Sequence, residues 1–406
     1  MANLRERVER ELLNNILPFW LKHCIDDEYG GFRGQITNDL QIDPVAHKGL
    51  ILNARILWTF SKTYEVYKNE IYLRTAKRAY KYLMQHFWDR QFGGVFWMVD
   101  FQGKPVETKK RVYGQAFALY ALAEYAHASS DGAPLQDAIE LHRLIEETAY
   151  DPENGGYFET YERDWSLSEE QRLSDVDMDE RKSMNTHLHM LEAYANLLRR
   201  WDNPRLRDRL HELLRLFLDR IIDPTTRHFR MFFDEKWHDR SKWLSFGHDV
   251  EGSWLICEAA EVLGESDVLR EARHQAVIMA QAVYEQALDA DGGLFYEGKD
   301  SEIIDSDKHW WPQAEAVVGF LNAYELSGKE QFLTAAERSW QFIEDCIVDR
   351  EYGEWFWKVS RDGRPASDKY KVDPWKCPYH NSRACFEVME RTDRLGKQHR
   401  AAETHV

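Results

Sequence analysis

Two segments of the chain place proton-transferring side chains at helical spacing. His248 and Glu251 are three residues apart, so they would share one face of a helix. A carboxylate beside an imidazole stabilises its charged form and would raise the pKa of His248, which suits a general acid or base near neutral pH. Asn185 and His189 are four residues apart and would also share a face, whereas His187 would point elsewhere and is expected in the core.

Further residues of catalytic or sugar-binding type accompany these histidines in other parts of the chain. They are Arg55, Tyr113, Gln115, Trp254, Trp310, Trp311, Gln313, Glu315, Trp375, Tyr379, His380 and Arg383. They lie near the starts of predicted apolar helices. If those helices run parallel, their N-termini meet at one end of the fold, and residues from distant segments share one pocket. This convergence indicates an enzyme, because chance would scatter such residues along the helices.

A short glycine–aromatic motif recurs along the chain at intervals of about 60 to 75 residues. The copies begin near Tyr29, Phe92, Asn154, Thr226, Asp291 and Glu351, and the fourth has lost its glycines. Paired glycines followed by aromatic residues predict a tight turn that enters a short strand. The chain is therefore expected to consist of six copies of one supersecondary unit.

Two kinds of helix alternate with these motifs. Amphipathic helices are predicted before the motifs, over 5–20, 71–88, 135–148, 204–222, 266–287 and 330–347. More apolar helices are predicted after them, over 49–66, 111–128, 184–200, 249–264, 312–327 and 379–391. Six such pairs predict an all-α fold, an (α/α)6 barrel of twelve helices with short β-hairpins between outer and inner helices, rather than an open solenoid. We expect a single catalytic domain over 1–406, with the polar segment 160–183 as a lid.

The composition limits the partners and the compartment. The 406 residues carry a formal net charge of −17, which disfavours nucleic acid and anionic membranes as partners. The five cysteines include no C-x-x-C pair, the N-terminus lacks the apolar core of a signal peptide, and no apolar run is long enough to span a membrane, so we expect a cytoplasmic protein. The 15 Trp, 19 Tyr and 20 Phe fill the core and suit stacking on sugar rings.

No cofactor is expected. The sequence contains neither a phosphate-binding P-loop nor a G-x-G-x-x-G motif. His187 and His189 would diverge on a helix and make a poor metal chelate, so the prediction is a site without metal. A metal joining His189, His248 and His380 stays open as an alternative.

Four segments resemble motifs of the N-acylglucosamine 2-epimerase superfamily, in the same order along the chain. They are Met184–Tyr194, Gly247–Trp254, Trp310–Glu315 and Lys376–Cys385, and the last is similar to the cellobiose 2-epimerase branch. The resemblance covers essentially the whole chain. It implies an (α/α)6 barrel, no required cofactor, and reversible epimerisation at C2 of the reducing-end glucose of β-1,4-linked disaccharides.

By position, the resemblance assigns His248 and His380 as the two acid/base residues that exchange protons through a cis-enediolate, with Glu251 in support. Arg55 would stabilise the enediolate, and His189 would assist ring opening. The substrate-binding residues would be Tyr113, Asn185, Trp254, Trp311 and Trp375.

Several alternatives remain. Gly252 departs from the family pattern, in which a larger residue is expected beside Trp254 at the pocket floor, and this leaves the substrate preference open.

Within the family, a mannose 2-epimerase, an N-acylglucosamine 2-epimerase and an aldose–ketose isomerase are the rivals. A glycoside hydrolase of the same fold needs two carboxylates, for which Asp249 and Glu251 are candidates although they would diverge on one helix. A sugar-binding module without activity is the last alternative. The expected partner is a neutral sugar, bound by a monomer or homodimer.

Overall fold

A computed structural model describes the backbone of residues 2–403 and the side chains of residues 3–397. Within that range the chain forms thirteen α-helices: α1 Ala2–Glu11, α2 Leu17–His23, α3 Leu50–Tyr67, α4 Glu70–Tyr82, α5 Val112–Ala128, α6 Ala133–Thr148, α7 Met184–Leu198, α8 Pro204–Leu216, α9 Phe246–Leu263, α10 Ser266–Gln286, α11 Trp310–Ser327, α12 Glu330–Phe342 and α13 Tyr379–Glu403. Short π-helical turns follow α1, α4, α8 and α12, at Leu12–Ile16, Leu83–Phe87, Phe217–Ile221 and Ile343–Ile347.

The helices form two concentric layers. In the inner layer α3, α5, α7, α9, α11 and α13 each pack against the next, and α13 packs against α3, so the ring is closed. In the outer layer α4, α6, α8, α10 and α12 each pack on the inner helix that precedes them, and α1 packs on α13. Because α1, the π-helical turn Leu12–Ile16 and α2 are continuous, they form one outer helix from Ala2 to His23. The predicted (α/α)6 barrel of twelve helices is therefore confirmed, and the open solenoid is wrong.

The two layers differ in burial as their sequence patterns predict. In α5 every residue of Val112–Tyr125 is buried. In α4 only Thr75, Ala76, Ala79 and Tyr82 are buried, and the remaining residues are half-buried or exposed. An inner helix meets protein on all sides, so its pattern of apolar residues does not identify the face that points to the barrel axis.

Short strands lie between the helices, at the end of the barrel where the inner helices begin. They are β1 Lys48–Gly49, β2 Met98–Val99, β3 Pro105–Glu107, β4 Lys110–Arg111, β5 Thr160–Tyr161, β6 Lys182–Ser183, β7 Phe232–Phe233, β8 Leu244–Ser245, β9 Glu297–Lys299, β10 Glu302–Asp305, β11 Lys308–His309 and β12 Lys358–Val359. They pair antiparallel as β1-β2-β3, β4-β5, β6-β7, β8-β9-β10 and β11-β12. Each strand that leads into an inner helix thus pairs with a strand of the next repeat, which links neighbouring repeats at this end.

A buried ion pair fixes the chain at most of the repeated turns. In each turn an aspartate accepts backbone N–H groups, as Asp89 does from Gln91 and Asp151 does from Glu153, both at 3.0 Å. A buried lysine from the segment ahead of the inner helix reaches the same aspartate. These pairs are Lys48–Asp26, Lys110–Asp89, Lys182–Asp151, Lys308–Asp289 and Lys371–Asp349. The fourth repeat has Leu244 in place of the lysine, and its Asp223 pairs with Arg230 instead.

The fourth residue of several inner helices also binds the turn. Gln115 accepts a hydrogen bond from the N–H of Val95 and donates one to its carbonyl, both at 2.9 Å. Gln313 makes the equivalent pair of bonds to Leu294. Both glutamines stood among the candidates for chemistry, and the structure gives them this positional role instead.

Within residues 2–403, no helix has the length and apolar character that crossing a membrane requires. Met1 and residues 404–406, the two ends of the expected domain, lie outside the described residues. The single domain over 1–406 stays a prediction.

Candidate active site

A cavity of about 760 Å³ opens at the N-terminal ends of the inner helices. Nine of the ten residues predicted for the site line it. They are Arg55, Tyr113, Asn185, His189, His248, Glu251, Trp311, Trp375 and His380. The volume lies within the range of small-molecule sites and has room for two sugar rings. The predicted convergence of distant segments on one pocket is confirmed.

A cluster of buried charges forms the floor of this cavity, in the second and third turns of the inner helices. The guanidinium of Arg383 donates to three carboxylates from three different helices: Glu192, Glu251 at 2.5 Å and Glu315 at 2.7 Å. All four side chains are at most 2% exposed. Because burial of an unpaired charge is costly, these contacts fix the rotation of α7, α9, α11 and α13 about their axes.

The carboxyl groups of this cluster differ in their ease of protonation. Burial alone would raise the pKa of Glu192, but Arg383, His189 and Tyr379 oppose it and bring the pKa to about 2. For Glu251, burial and repulsion by Glu315 prevail and raise the pKa to about 7. Burial also raises the pKa of Glu315. The cluster therefore keeps Glu192 ionised, whereas Glu251 titrates near neutral pH.

Three histidines of the cavity share one arrangement. In each of these imidazoles, Nδ1 lies within hydrogen-bond distance of a protein side chain, and the edge that carries Nε2 faces the cavity. His189 Nδ1 lies 3.1 Å from Glu192, and His380 Nδ1 lies 2.7 Å from Glu315. His248 Nδ1 lies 2.7 Å from the hydroxyl oxygen of Ser245. A held Nδ1 fixes the ring orientation, which a proton-transferring imidazole requires.

The predicted support of His248 by Glu251 is wrong. The carboxylate of Glu251 accepts a hydrogen bond from Arg383 and lies 3.9 Å from His380 Nδ1. Glu251 is therefore a neighbour of His380 and does not hold His248. Burial, together with the nearby His189 and Arg55, lowers the pKa of His248 to about 3. Burial and the same arginine also lower the pKa of His380 well below its ordinary value. These surroundings therefore favour the neutral form of both imidazoles.

Arg55 brings a positive charge to the cavity wall. Its guanidinium donates to the Tyr113 hydroxyl at 3.0 Å and to the Cys377 sulfur at 3.9 Å. It also lies over the ring of Phe117 at 4.2 Å and that of Tyr379 at 5.0 Å. No carboxylate pairs with Arg55 in the described part of the chain. Its charge is therefore available to an anionic oxygen that forms in the cavity.

Aromatic rings form the side walls. The Trp311 ring contacts both acid/base candidates, with centroid distances of 4.6 Å to His248 and 5.6 Å to His380. Trp375 lies 5.9 Å from the ring of Tyr113. Flat aromatic surfaces beside polar groups suit the binding of sugar rings, which have apolar C–H faces.

Trp254 does not line the cavity, which corrects its prediction as a substrate-binding residue. It is 1% exposed, and its indole N–H donates to Glu315 at 3.1 Å from behind the charge cluster. Gly252 does not border the pocket floor either. A Cβ atom at Gly252 would lie 2.2 Å from the ring of Phe229, on the outer side of α9. A larger residue at position 252 would therefore require the ring of Phe229 to move.

The geometry removes the basis of the predicted hydrolase alternative and confirms the predicted place of His187. Asp249 accepts the backbone N–H of Phe229 at 2.7 Å and pairs with His228 at 2.7 Å, outside the cavity, so it cannot form a hydrolytic pair with Glu251. His187 also lies in the core as predicted, with Nε2 accepting from the N–H of Tyr157 at 2.9 Å.

The donor atoms close enough to share an ion, within the described residues, belong to Glu251, Glu315 and His380. Arg383 already donates to both carboxylates, so the guanidinium occupies the place between them. The alternative trio of His189, His248 and His380 does not form such a group in this part of the chain, because the ring nitrogens of the three do not all lie within 4.8 Å of one another.

Two residues that hold histidines of the site were not predicted from the sequence. Glu192 is three residues after His189, the same spacing that drew attention to His248 and Glu251, so the same rule could have found it. Ser245 stands directly before α9, where serine is common for reasons of helix capping alone, and nothing in the sequence distinguishes its contact with His248.

Only part of the predicted lid, residues 160–183, borders the cavity. Residues 173–177 line the opening. The portion before them is anchored: Trp165 donates to the Phe92 carbonyl at 3.0 Å, and Arg163 pairs with Asp89. Closure over a bound molecule stays a prediction.

Comparison with known proteins places the chain among sugar epimerases. A sequence model of the N-acylglucosamine 2-epimerase (GlcNAc 2-epimerase) family matches residues 30–384. The chain is 43% identical over 387 residues to a cellobiose 2-epimerase of Bacteroides fragilis, covering 95% of this chain and 98% of that protein. It is 41% identical over 385 residues to a cellobiose 2-epimerase of Ruminococcus albus, covering 95% and 98%. The solved structure of cellobiose 2-epimerase from Bacillus thermoamylovorans B4167 superposes with a TM-score of 0.92 at 40% identity, covering 96% of this chain and 100% of that chain.

Replacement of Arg383 by methionine should destabilise the protein in a pH-dependent way. The variant leaves three buried carboxyl groups without their cation, and we expect a loss of about 3–5 kcal/mol in the free energy of unfolding at pH 8. In the variant, the pKa values of these carboxyls in the folded state lie above their unfolded values. Stability is then lost as pH rises through the folded-state pKa, so the deficit should shrink at pH 5.5. Urea unfolding of the variant and the wild type at both pH values measures this deficit in the free energy of unfolding.

The control is Arg270→Met, which removes an arginine whose side chain is 75% exposed. It should change the free energy of unfolding by less than about 0.5 kcal/mol at either pH. A deficit for Arg383→Met that is equal at both pH values would contradict the electrostatic account.

Proposed function

The chain belongs to the N-acylglucosamine 2-epimerase family, and from this premise we propose that it interconverts β-1,4-linked disaccharides that differ at C2 of the reducing-end sugar, such as cellobiose and glucosyl-mannose or lactose and epilactose. It is a carbohydrate epimerase and thus an isomerase. The observation that carries the proposal is the meeting of His248 and His380 with Trp311 in one cavity, beside the unpaired charge of Arg55.

The reaction needs two proton-transfer groups and a stabilised anion. The sugar reacts as the open-chain aldehyde, whose C2 proton is acidic because the carbonyl accepts the charge. One base removes this proton and leaves a cis-enediolate. An acid on the opposite face then returns a proton to C2 and inverts the centre. Each positioned acid or base accelerates such a step by about 10²–10⁴-fold.

The side chains of the cavity meet these needs as follows. His248 and His380 come from different helices and contact Trp311, so we assign them to the two faces of C2. The imidazole that acts as base is neutral and becomes an imidazolium. The imidazole that acts as acid enters the step as an imidazolium, with a proton taken up from solvent at Nε2, and becomes neutral when it returns a proton to C2. The guanidinium of Arg55 stabilises the enediolate oxygens. His189 assists the ring opening that produces the aldehyde. Because only protons move, no cofactor is required.

The remaining residues bind the sugar. Trp311 and Trp375 contact the rings, whereas Tyr113 and Asn185 contact the polar groups around the reacting carbons. Asn185 has a buried side-chain oxygen without a hydrogen-bond partner, which suits it to receive a sugar hydroxyl. These residues suit a neutral sugar as the binding partner of the protein.

The site is lined by one chain, so either a monomer or a homodimer would be competent. Five cysteines without disulfides suit a reducing compartment such as the cytoplasm.

Incubation of the purified protein with cellobiose in D₂O tests the proposed reaction. We expect chromatography to show glucosyl-mannose and NMR to show deuterium at C2 of the product, because the proton that returns comes from a group that exchanges with solvent. Lactose, mannose and N-acetylglucosamine are the parallel substrates. Turnover of mannose alone would support a mannose epimerase, and a ketose as main product would support an isomerase. An epimer without deuterium at C2 would argue against the enediolate.

Alanine replacements test the assignment of the two histidines. His248→Ala and His380→Ala should each lower kcat for cellobiose by at least about 10²-fold, because each removes one proton-transfer group. His238→Ala is the control, since this histidine is 70% exposed and pairs with Asp234 at the surface. Circular dichroism should show intact helices in all three. If either cavity variant keeps the turnover of the wild type, the histidine replaced in that variant is not an acid/base residue.

We also propose that residues 173–177 cover the bound sugar, since they already line the opening. Cellobiose should then slow tryptic cleavage after Arg172 relative to cleavage after Lys236, an exposed residue that does not line the cavity. Sucrose, which has no reducing end, is the control sugar. Equal cleavage after Arg172 with and without cellobiose would show that the segment does not close.

A further inference from the structure

Two inner helices begin after a serine, and the two serines behave differently. Ser183 precedes α7, and its hydroxyl oxygen accepts the backbone N–H of Thr186 at 3.1 Å, as a capping serine does. Ser245 precedes α9 but makes no capping bond. Its hydroxyl oxygen lies 2.7 Å from His248 Nδ1. Ser245 thus forgoes the usual role of its position and contacts an imidazole of the cavity.

The partner of an imidazole limits the proton positions that the ring can adopt. Both oxygens of Glu315 accept hydrogen bonds, one from Arg383 at 2.7 Å and the other from Trp254 at 3.1 Å, which favours the ionised carboxylate. An ionised carboxylate only accepts, so His380 Nδ1, 2.7 Å from Glu315, carries a proton. In neutral His380 the Nε2 atom then carries a lone pair and no proton, so it can act as a base. A serine hydroxyl both donates and accepts, so neutral His248 can carry its proton on either nitrogen.

We propose that Ser245 is a positioning residue of His248, and that its hydroxyl permits His248 to present either a proton or a lone pair at Nε2. This inference rests on the proposed epimerisation, in which each acid/base group must both give and take a proton over the forward and reverse reactions. His380 is held by a partner that allows one neutral tautomer, whereas His248 is held by a partner that allows both.

The surroundings of His248 leave this role to Ser245. The titratable and charged groups that border the same spaces are Arg55, Tyr113, Glu159, Arg172, Asp175, Asp177, Glu180, His189, Glu251, Tyr296, Glu297, Asp305, His309, Lys358, Lys369 and His380. None of them is hydrogen-bonded to His248 Nδ1, which the Ser245 hydroxyl occupies. Glu251, the carboxylate on the same helix, is engaged by Arg383.

The test compares Ser245→Ala with Ser183→Ala, its matched control at the equivalent place before α7. Ser245→Ala should lower kcat for cellobiose about 10–100-fold with KM changed less than twofold, a loss typical of removing the group that orients a functional histidine. Its melting temperature should stay near that of the wild type, because no cap is lost. Ser183→Ala should show the reverse pattern, a lower melting temperature with a smaller effect on kcat. Ser245→Thr, which keeps the hydroxyl, should recover most of the activity.

The pH dependence provides a readout that a purely structural role would not change. The Ser245 oxygen accepts from Nδ1–H when His248 is charged, so its removal destabilises the imidazolium and lowers the pKa of His248. The limb of the pH–kcat profile that reports His248 should move to lower pH in Ser245→Ala. Nitrogen-15 NMR of labelled histidine, with His248→Ala as the assignment reference, should show the same displacement.

The two hypotheses can fail separately. If the wild type converts cellobiose but Ser245→Ala keeps its kcat and its pH profile, the role of Ser245 is refuted and the proposed function stands. If the wild type converts none of the four sugars, the proposed function fails. The histidine NMR titration then decides on Ser245 alone, and an unchanged His248 titration in Ser245→Ala would refute its role.

Discussion

The contact of one buried guanidinium with three buried carboxylates is the constraint on which the rest of the site depends. Arg383 comes from the last inner helix, whereas Glu192, Glu251 and Glu315 come from three others. Each charge would cost several kcal/mol to bury without a partner, so the four helices can adopt only rotations that bring these groups together. Two of the three site histidines take their orientation from the same carboxylates. The charge cluster therefore sets both the barrel geometry and the directions of the proton-transfer groups.

The repeat explains how one fold supports both architecture and chemistry. In α5, α7, α9 and α11 the fourth residue binds the turn of its own repeat, as Gln115 and Gln313 do. The sixth residue, two positions along, faces the barrel axis and is free to differ between repeats. At this position the chain carries Arg55, Phe117, His189, Glu251 and Glu315. Neighbouring positions thus have separate tasks, and the chemistry can change without disturbing the turns.

The fold was largely predictable from the sequence, and the site only in part. Repeated turns and alternating helix character determine the number and order of layers, and periodicity is sufficient to detect both. The inward face of an inner helix is different, because such a helix is buried on all sides and lacks an amphipathic signal. Spacing alone therefore paired His248 with Glu251, which in fact bonds to Arg383, and it placed Trp254 in the cavity instead of behind Glu315. Contacts between distant helices decide these questions.

The unequal partners of the two acid/base histidines follow from the demands of a reversible inversion. In each turnover one imidazole gains a proton and the other loses one, so the free enzyme must redistribute protons before it can act again. A pair of identical carboxylate partners would stabilise two imidazolium rings beside Arg55, whose charge opposes both. A carboxylate behind His380 and a neutral hydroxyl behind His248 avoid this accumulation of charge. With both Nδ1 atoms engaged, the proton exchange that resets the site must occur at Nε2, on the side that opens to the cavity and its solvent.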